Sequence, residues 1–420
     1  MQAPTLLTKF IEQPMPSQKL LKNIEIALLS LIILSLPSLE APKNIFLVFF
    51  VLVALLRQLG NPERLKWNSW DSIFRLILGT ALMSTIFAGM PHHGEWKGFN
   101  VLVTMIGTGW LVSRGEYSKE ELDLFFKAVV IGAIPPLGFG LWQLLVTHAK
   151  TDLQLHSVGH VNHSAIYLVM IFGSALGWLL SYDRASSLLK RLLLAALSVT
   201  FLTSLIVGQS RGAVGIGFIL AMIITLTMSR DRLVKSISLG TIILVAALAV
   251  ILHAGVVQKE AAYERTNNIL SNRDKVWNVS LEAAHFSPIL GIGMSNWGSI
   301  TLADIKASVE KRQKTFNPDN YQLQWGHSHN LYLTALVERG IVGLSVTLIF
   351  MLAWLTHLIK TFKLTKSSNQ AVYLWAGSLS AWVATFGIGF VNTTFHHEHG
   401  ILACLLLGLY LSYTRSQETT

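Results

Sequence analysis

The sequence predicts an all-α integral membrane protein with about twelve transmembrane helices and one large helical loop on the non-cytoplasmic side. Three observations carry that prediction. Of 420 residues, 52% are hydrophobic and only 13% charged, against about 25% charged in an ordinary soluble chain. So few charges cannot cover a water-facing surface of this size, and mean hydropathy is +0.50. Apolar windows of about 20 residues recur along the chain, and Lys and Arg alternate between the connections that join them.

The windows fall at about 23–39, 44–60, 72–90, 99–113, 122–147, 164–181, 190–208, 212–228, 236–258, 341–358, 371–391 and 400–414. The first follows a polar leader, residues 1–22, with no small-residue cleavage site, so it is expected to remain as an anchor. The fifth is long and carries Pro135-Pro136, where a helix should break. The expected organisation is a leader over 1–22, nine spanning helices over 23–258, a loop over 259–340, three more spans over 341–414 and a tail over 415–420.

Basic residues set the orientation. They gather in the leader (Lys9, Lys19, Lys22), in the even-numbered connections and in the tail (Arg415). The short odd-numbered connections hold only Lys43, Lys97, Lys150 and Arg211. Both termini are therefore expected in the cytoplasm and the long loop outside. The net charge of +10 reads as topology, so no nucleic-acid partner is expected. The single cysteine, Cys404, excludes an internal disulfide and a cysteine-based zinc cluster. Thirteen of the 14 histidines then fall at or beside the outer face, with His357 alone on the other side. Tolerance of histidine at an interface accounts for that distribution, and so does a polar cavity at the outer boundary.

A loop of this length should contain elements of its own. Ser271, with Asp274 three residues on, reads as a helix start, and Arg273, Trp277, Leu281 and Ala284 share one face of that helix. Ser287-Pro288 should end it, and Gly291 and Gly293 mark a tight turn. A second helix, about 301–314, carries Leu302, Ile305 and Val309 on one side and Lys311, Arg312 and Lys314 at its end. That basic end suits either a lipid-phosphate surface or simple solvation. From Asn330 to Lys360 the chain is too long for one straight span. A short interfacial helix capped by Asn330 and ending at Gly340 resolves this, and keeps Glu338 and Arg339 out of hydrocarbon. His329 then stands just outside a helix N-terminus, which disfavours its cationic form.

Three stretches in this order resemble the lipopolysaccharide O-antigen ligase and O-antigen polymerase superfamily. They are Gln209-Ser210-Arg211-Gly212, then Arg273…Trp277…Pro288…Gly291-Ile292-Gly293, then His327 to Gly343. The most specific is His329-Asn330, nine residues, Gly340, two residues, Gly343, which is similar to the ligase signature; His327 fails that spacing. The resemblance covers roughly 205–345 and the span layout. It implies a fold like the GT-C-type lipid-linked glycosyltransferases. It also implies transfer of a preassembled glycan from undecaprenyl diphosphate to a sugar hydroxyl of lipid A–core, at the periplasmic face of a bacterial inner membrane. Neither nucleotide nor other cofactor is implied.

That chemistry needs a base for the acceptor hydroxyl and cations for the departing diphosphate. His329 is the candidate base. Arg211 and Arg273 are the candidate diphosphate ligands, with Arg265 a third. His327, Asn330 and His163 are expected to support the base or position the acceptor. No metal is expected, because neither His396-His397-Glu398-His399 nor His327-x-His329 has the helical spacing of a zinc motif. A polymerase would use the same donor with a second lipid-linked glycan, and a protein oligosaccharyltransferase is a further relative. A transporter would bury ionisable groups at mid-membrane and often show inverted repeats. These spans carry few charges away from their ends.

Overall fold

The computed structural model describes residues 17–60, 66–92, 94–182, 187–229, 232–251, 255–265, 270–324 and 326–418. Lys9, Arg64, Arg184 and Arg230, on which part of the orientation reading rests, lie outside these residues, as do His93 and His253 of the outer-face histidines. Among the described residues every regular element is helical and none is a strand.

The N-terminal half contains α1 (Gln18–Ser35), α2 (Glu40–Leu59), α3 (Ser69–Ile86), α4 (Glu95–Arg114), α5 (Lys119–Gly132) and α6 (Ile134–Leu145). It is followed by α7 (Val161–Ser181), α8 (Leu188–Val207), α9 (Arg211–Met228) and α10 (Arg232–Ile251). Local chemistry sets the boundaries. Asn68 with Asp71 and Ser118 with Glu121 form reciprocal capping boxes at α3 and α5. Pro135 and Pro136 fall in the first turn of α6, where their missing N–H groups cost nothing. The expected break therefore lies at Ala133, just ahead of them. α1 begins earlier than the window at 23, because Ser17 caps it by accepting from Leu20 N. The ninth window falls on α10 and on α11 (Gly255–Arg265), with residues 252–254 outside the described residues.

The chain is a multi-pass membrane protein: among the described residues, eight helical stretches are long and apolar enough to cross a membrane. At its centre lie α7 and α15 (Asn369–Trp382), buried on almost every side and packed together, with a π-turn over Val383–Gly387 continuing α15. α16 (His397–Glu418) packs against α4. Among the described residues most buried charges are in ion pairs, as a low-dielectric setting demands, while Glu95 accepts from Asn296 Nδ2 at 2.7 Å. Glu25 within α1 accepts from Arg57 and Tyr117 at 2.6 Å each. Asp71 holds Arg114, also at 2.6 Å, and Lys43 holds Glu398 at 2.5 Å.

The loop packs around its own small core. α12 (Arg273–Ala283) and α13 (Leu302–Lys311) enclose Val276, Val279, Ala283, Trp297, Ile305 and Val309. The buried face of α12 is thus the one carrying Val276, Val279 and Ala283. The expected face of Arg273, Trp277, Leu281 and Ala284 is not the buried one, and Leu281 is 51% exposed. The reason is tertiary: α12 leans on α13 and on α14 (Leu331–Thr361), whose apolar groups, Val337 among them, lie on the other side. Arg312, at the basic end of α13, is paired with Glu282 of α12 and lies 3.0 Å from His285 Nε2.

Gly340 interrupts α14 with φ 65° and ψ −168°, so two helical halves meet there, at the glycine where the sequence places the end of the first. The loop is stitched to that kink by main-chain bonds. Ile292 N donates to Val337 O (2.9 Å) and Gly293 N to Glu338 O (3.1 Å). In return Ile341 N donates to Pro288 O (2.8 Å) and Val342 N to Ile289 O (3.3 Å). Gly291 and Gly340 allow this approach: a Cβ on Gly291 would stand 2.3 Å from Glu338 C, and one on Gly340 2.1 Å from Ile289 O. The two glycine motifs, far apart in sequence, are the two halves of one joint.

Candidate active site

Several helices begin at one place. The first residues of α7 (Val161, Asn162, His163), of α9 (Arg211, Gly212) and of α12 (Arg273) all line a cavity of about 600 Å³. His327 and His329, from the segment leading into α14, complete its wall with Ser271, Asp152 and Asn392. Each helix N-terminus carries the positive end of a macrodipole, and each of two places an arginine there. The combination suits an anion.

Arg211 is the first residue of α9, set by a turn in which Gln209 has φ 55°. Its Nη2 donates to Ser271 Oγ at 2.8 Å. Ser271 is therefore not the cap of α12. Asn272, in the left-handed region at φ 60°, occupies that position, and the Ser271 hydroxyl instead holds the guanidinium. Ser210 Oγ donates to Asn162 Oδ1 (3.1 Å), tying the start of α9 to the start of α7.

His329 sits at φ 48°, its ring 4.0 Å from that of His327 between centroids. Burial pushes its pKa down to about 3; the positive neighbours His327 and Arg273 push the same way and a hydrogen bond with Asn392 opposes them. The ring is thus neutral at neutral pH, the direction expected, though burial is the main cause. Asn330 is the expected cap: its Oδ1 accepts from Tyr332 N (2.9 Å) and Leu333 N (3.0 Å). Its Nδ2 donates to Phe390 O at 2.9 Å, anchoring the start of α14 to the turn after α15. It supports the histidine through the backbone and does not line the cavity.

A second cavity of about 300 Å³ adjoins the first, sharing His163 and His327 with it and adding Ser295, Thr334, Arg339 and His396. Of the residues singled out in sequence, Arg211, Arg273, His329, His327 and His163 come together here. Arg265 does not. It is the exposed last residue of α11, outside the lining of the cavity. Sequence reasoning missed Asp152 and Asn392; neither stands in a distinctive local pattern, and only folding brings them to the wall beside Gln209 of the serine-arginine motif.

Residues 193–348 match a family model described as O-antigen ligase. Over those 156 of the 420 residues the chain is similar to the O-antigen ligase/polymerase superfamily. No curated protein matches the chain. The O-antigen ligase match runs from α8 into α14 and contains both arginines, His327, His329 and the Gly291–Gly340 joint. The α7 and Asn392 sides of the cavity lie beyond it, so the O-antigen ligase domain alone does not close the site.

Proposed function

We propose that the protein is an O-antigen ligase. It spans the bacterial inner membrane twelve times in a GT-C-like arrangement with both termini in the cytoplasm, and works at the periplasmic face. It moves a preassembled glycan from undecaprenyl diphosphate to a sugar hydroxyl of lipid A–core. The observation that carries this reading is the convergence of Arg211, Arg273 and neutral His329 on one cavity of about 600 Å³.

Arg211 and Arg273 grip the donor diphosphate, Arg211 already oriented by Ser271. Planar guanidinium groups bind phosphate oxygens bidentately and offset the charge that grows as the bond to the anomeric carbon breaks. The acceptor oxygen forms the new bond to that carbon while His329 takes its proton, and undecaprenyl diphosphate departs. A pKa near 3 would make a weak base, but a diphosphate between the arginines adds negative charge beside the imidazole and raises it toward the working range. His327 and His163, on the wall shared by the two cavities, are suited to positioning the acceptor.

The test is product analysis in a strain lacking the gene. Unsubstituted lipid A–core with long glycan accumulating on undecaprenyl diphosphate is the expected result. Loss of long glycan from the lipid carrier would replace the ligase reading with that of a polymerase.

A further inference from the structure

We propose that His163, His396 and His397 form a binding site for a divalent transition metal of the zinc class, which pins the start of α7 to the connection entering α16. Each of the three offers one ring nitrogen, and the three nitrogens lie within 4.8 Å of one another. Ring centroids are 5.5 Å apart for His163 and His396, 5.4 Å for His163 and His397, and 3.6 Å for His396 and His397. The adjacent pair converges because His397 takes φ 46°, where an extended backbone would send successive side chains apart. Zinc–imidazole bonds of about 2.0–2.1 Å place ligand nitrogens about 3.3 Å apart, a contraction that side-chain torsions alone can supply.

The donor set decides the class of metal. Glu398, the nearest carboxylate in sequence, is already held by Lys43 at 2.5 Å. The one thiol, Cys404, is buried farther along α16. Three imidazoles without carboxylate or thiolate suit zinc, copper or nickel and not magnesium or calcium. A fourth imidazole stands beside them. His399 is fully buried, its ring 5.1 Å from that of His163. Neither of its ring nitrogens makes a hydrogen bond of normal geometry, although the Thr393 backbone lies near it. Buried imidazole nitrogens left in that state are rare, and this ring flanks the trio without belonging to the set whose nitrogens lie within 4.8 Å of one another.

None of these histidines lies within residues 193–348, so the site belongs to this chain's surroundings of the matched domain. His163 also lines both cavities. A dication on its ring would fix the shared wall and add positive charge beside the anion site, without acting as the base.

The experiment uses the full chain, purified in detergent with a histidine-free affinity tag, stripped with chelator and titrated with Co²⁺ and Zn²⁺. One metal per chain, a visible Co²⁺ d–d band and a rise in Tm are expected. His397→Gln, at an exposed position, and His396→Gln should each weaken binding at least tenfold, while His285→Gln should not. Substoichiometric metal, or equal binding by wild type and both variants, would overturn the proposal. Neither readout depends on transfer activity, so the metal site and the ligase reading stand or fall separately.

Discussion

Replacing Gly340 with alanine tests whether the joint between loop and α14 controls the site. At φ 65° and ψ −168° the residue occupies a region essentially reserved for glycine, and a side chain there costs ~1–3 kcal/mol. The added Cβ would also stand 2.1 Å from Ile289 O, 2.3 Å from Ile289 C and 2.6 Å from Leu290 N. All three are backbone atoms, so relief requires moving the loop. That movement weakens the bonds from Ile341 N to Pro288 O and from Val342 N to Ile289 O, each contributing ~0.5–1.5 kcal/mol. The total is about 2–6 kcal/mol, enough to lower Tm by several degrees and to turn the helix that starts beside His329. Gly326→Ala is the control: its φ of +67° is strained as well, but nothing lies within 4 Å of its Cβ. Thermal unfolding in detergent should place Gly340→Ala well below Gly326→Ala, with transfer lost in the former. Equal Tm values, or wild-type transfer by Gly340→Ala, would refute the role assigned to the joint.

Four other outcomes are expected. His329→Ala and His329→Asn should both lower transfer by ~10²–10⁴ in well-folded protein, and near-normal transfer by His329→Asn would remove the general base. Because burial holds the His329 pKa down to about 3, protonation removes the base only in strong acid. The acid limb of kcat/KM should lie well below pH 6.5, and that of kcat should shift upward once the diphosphate is bound; a kcat/KM limb near 6.5 would contradict this. Arg211→Ala should cost ten- to a hundredfold in transfer, from a charge-assisted contact of ~1.5–3 kcal/mol. Lysine should rescue only partly, and Ser271→Ala, which removes the 2.8 Å bond to Nη2, should be milder; full activity of Arg211→Ala would exclude that residue. Impermeant thiol reagent added from outside should label Ala307→Cys and spare Ser367→Cys, with native Cys404 silent because it is buried. The reverse pattern would invert the proposed topology.

Sequence by itself determined what depends on short-range pattern. Membrane class follows from the scarcity of charge, and helix boundaries follow from hydropathy and caps. The break at Pro135-Pro136, the Asn330 cap and the kink at Gly340 are all local, because φ restrictions and capping bonds act within a few residues. The histidine and arginines were visible as chemistry-bearing residues in short motifs. Only tertiary structure decided which of them meet. Arg265 and Arg211 are equally basic in sequence, yet packing leaves the first exposed at the end of α11 and sets the second against Ser271 at the cavity. Which face of α12 is buried was not legible in sequence for the same reason. A short helix with apolar groups on more than one side takes its orientation from the partner it packs against, here α13 and the first half of α14. His163 beside His396 and His397, and Gly291 against Gly340, are contacts between distant segments. No spacing rule within one segment reaches across them.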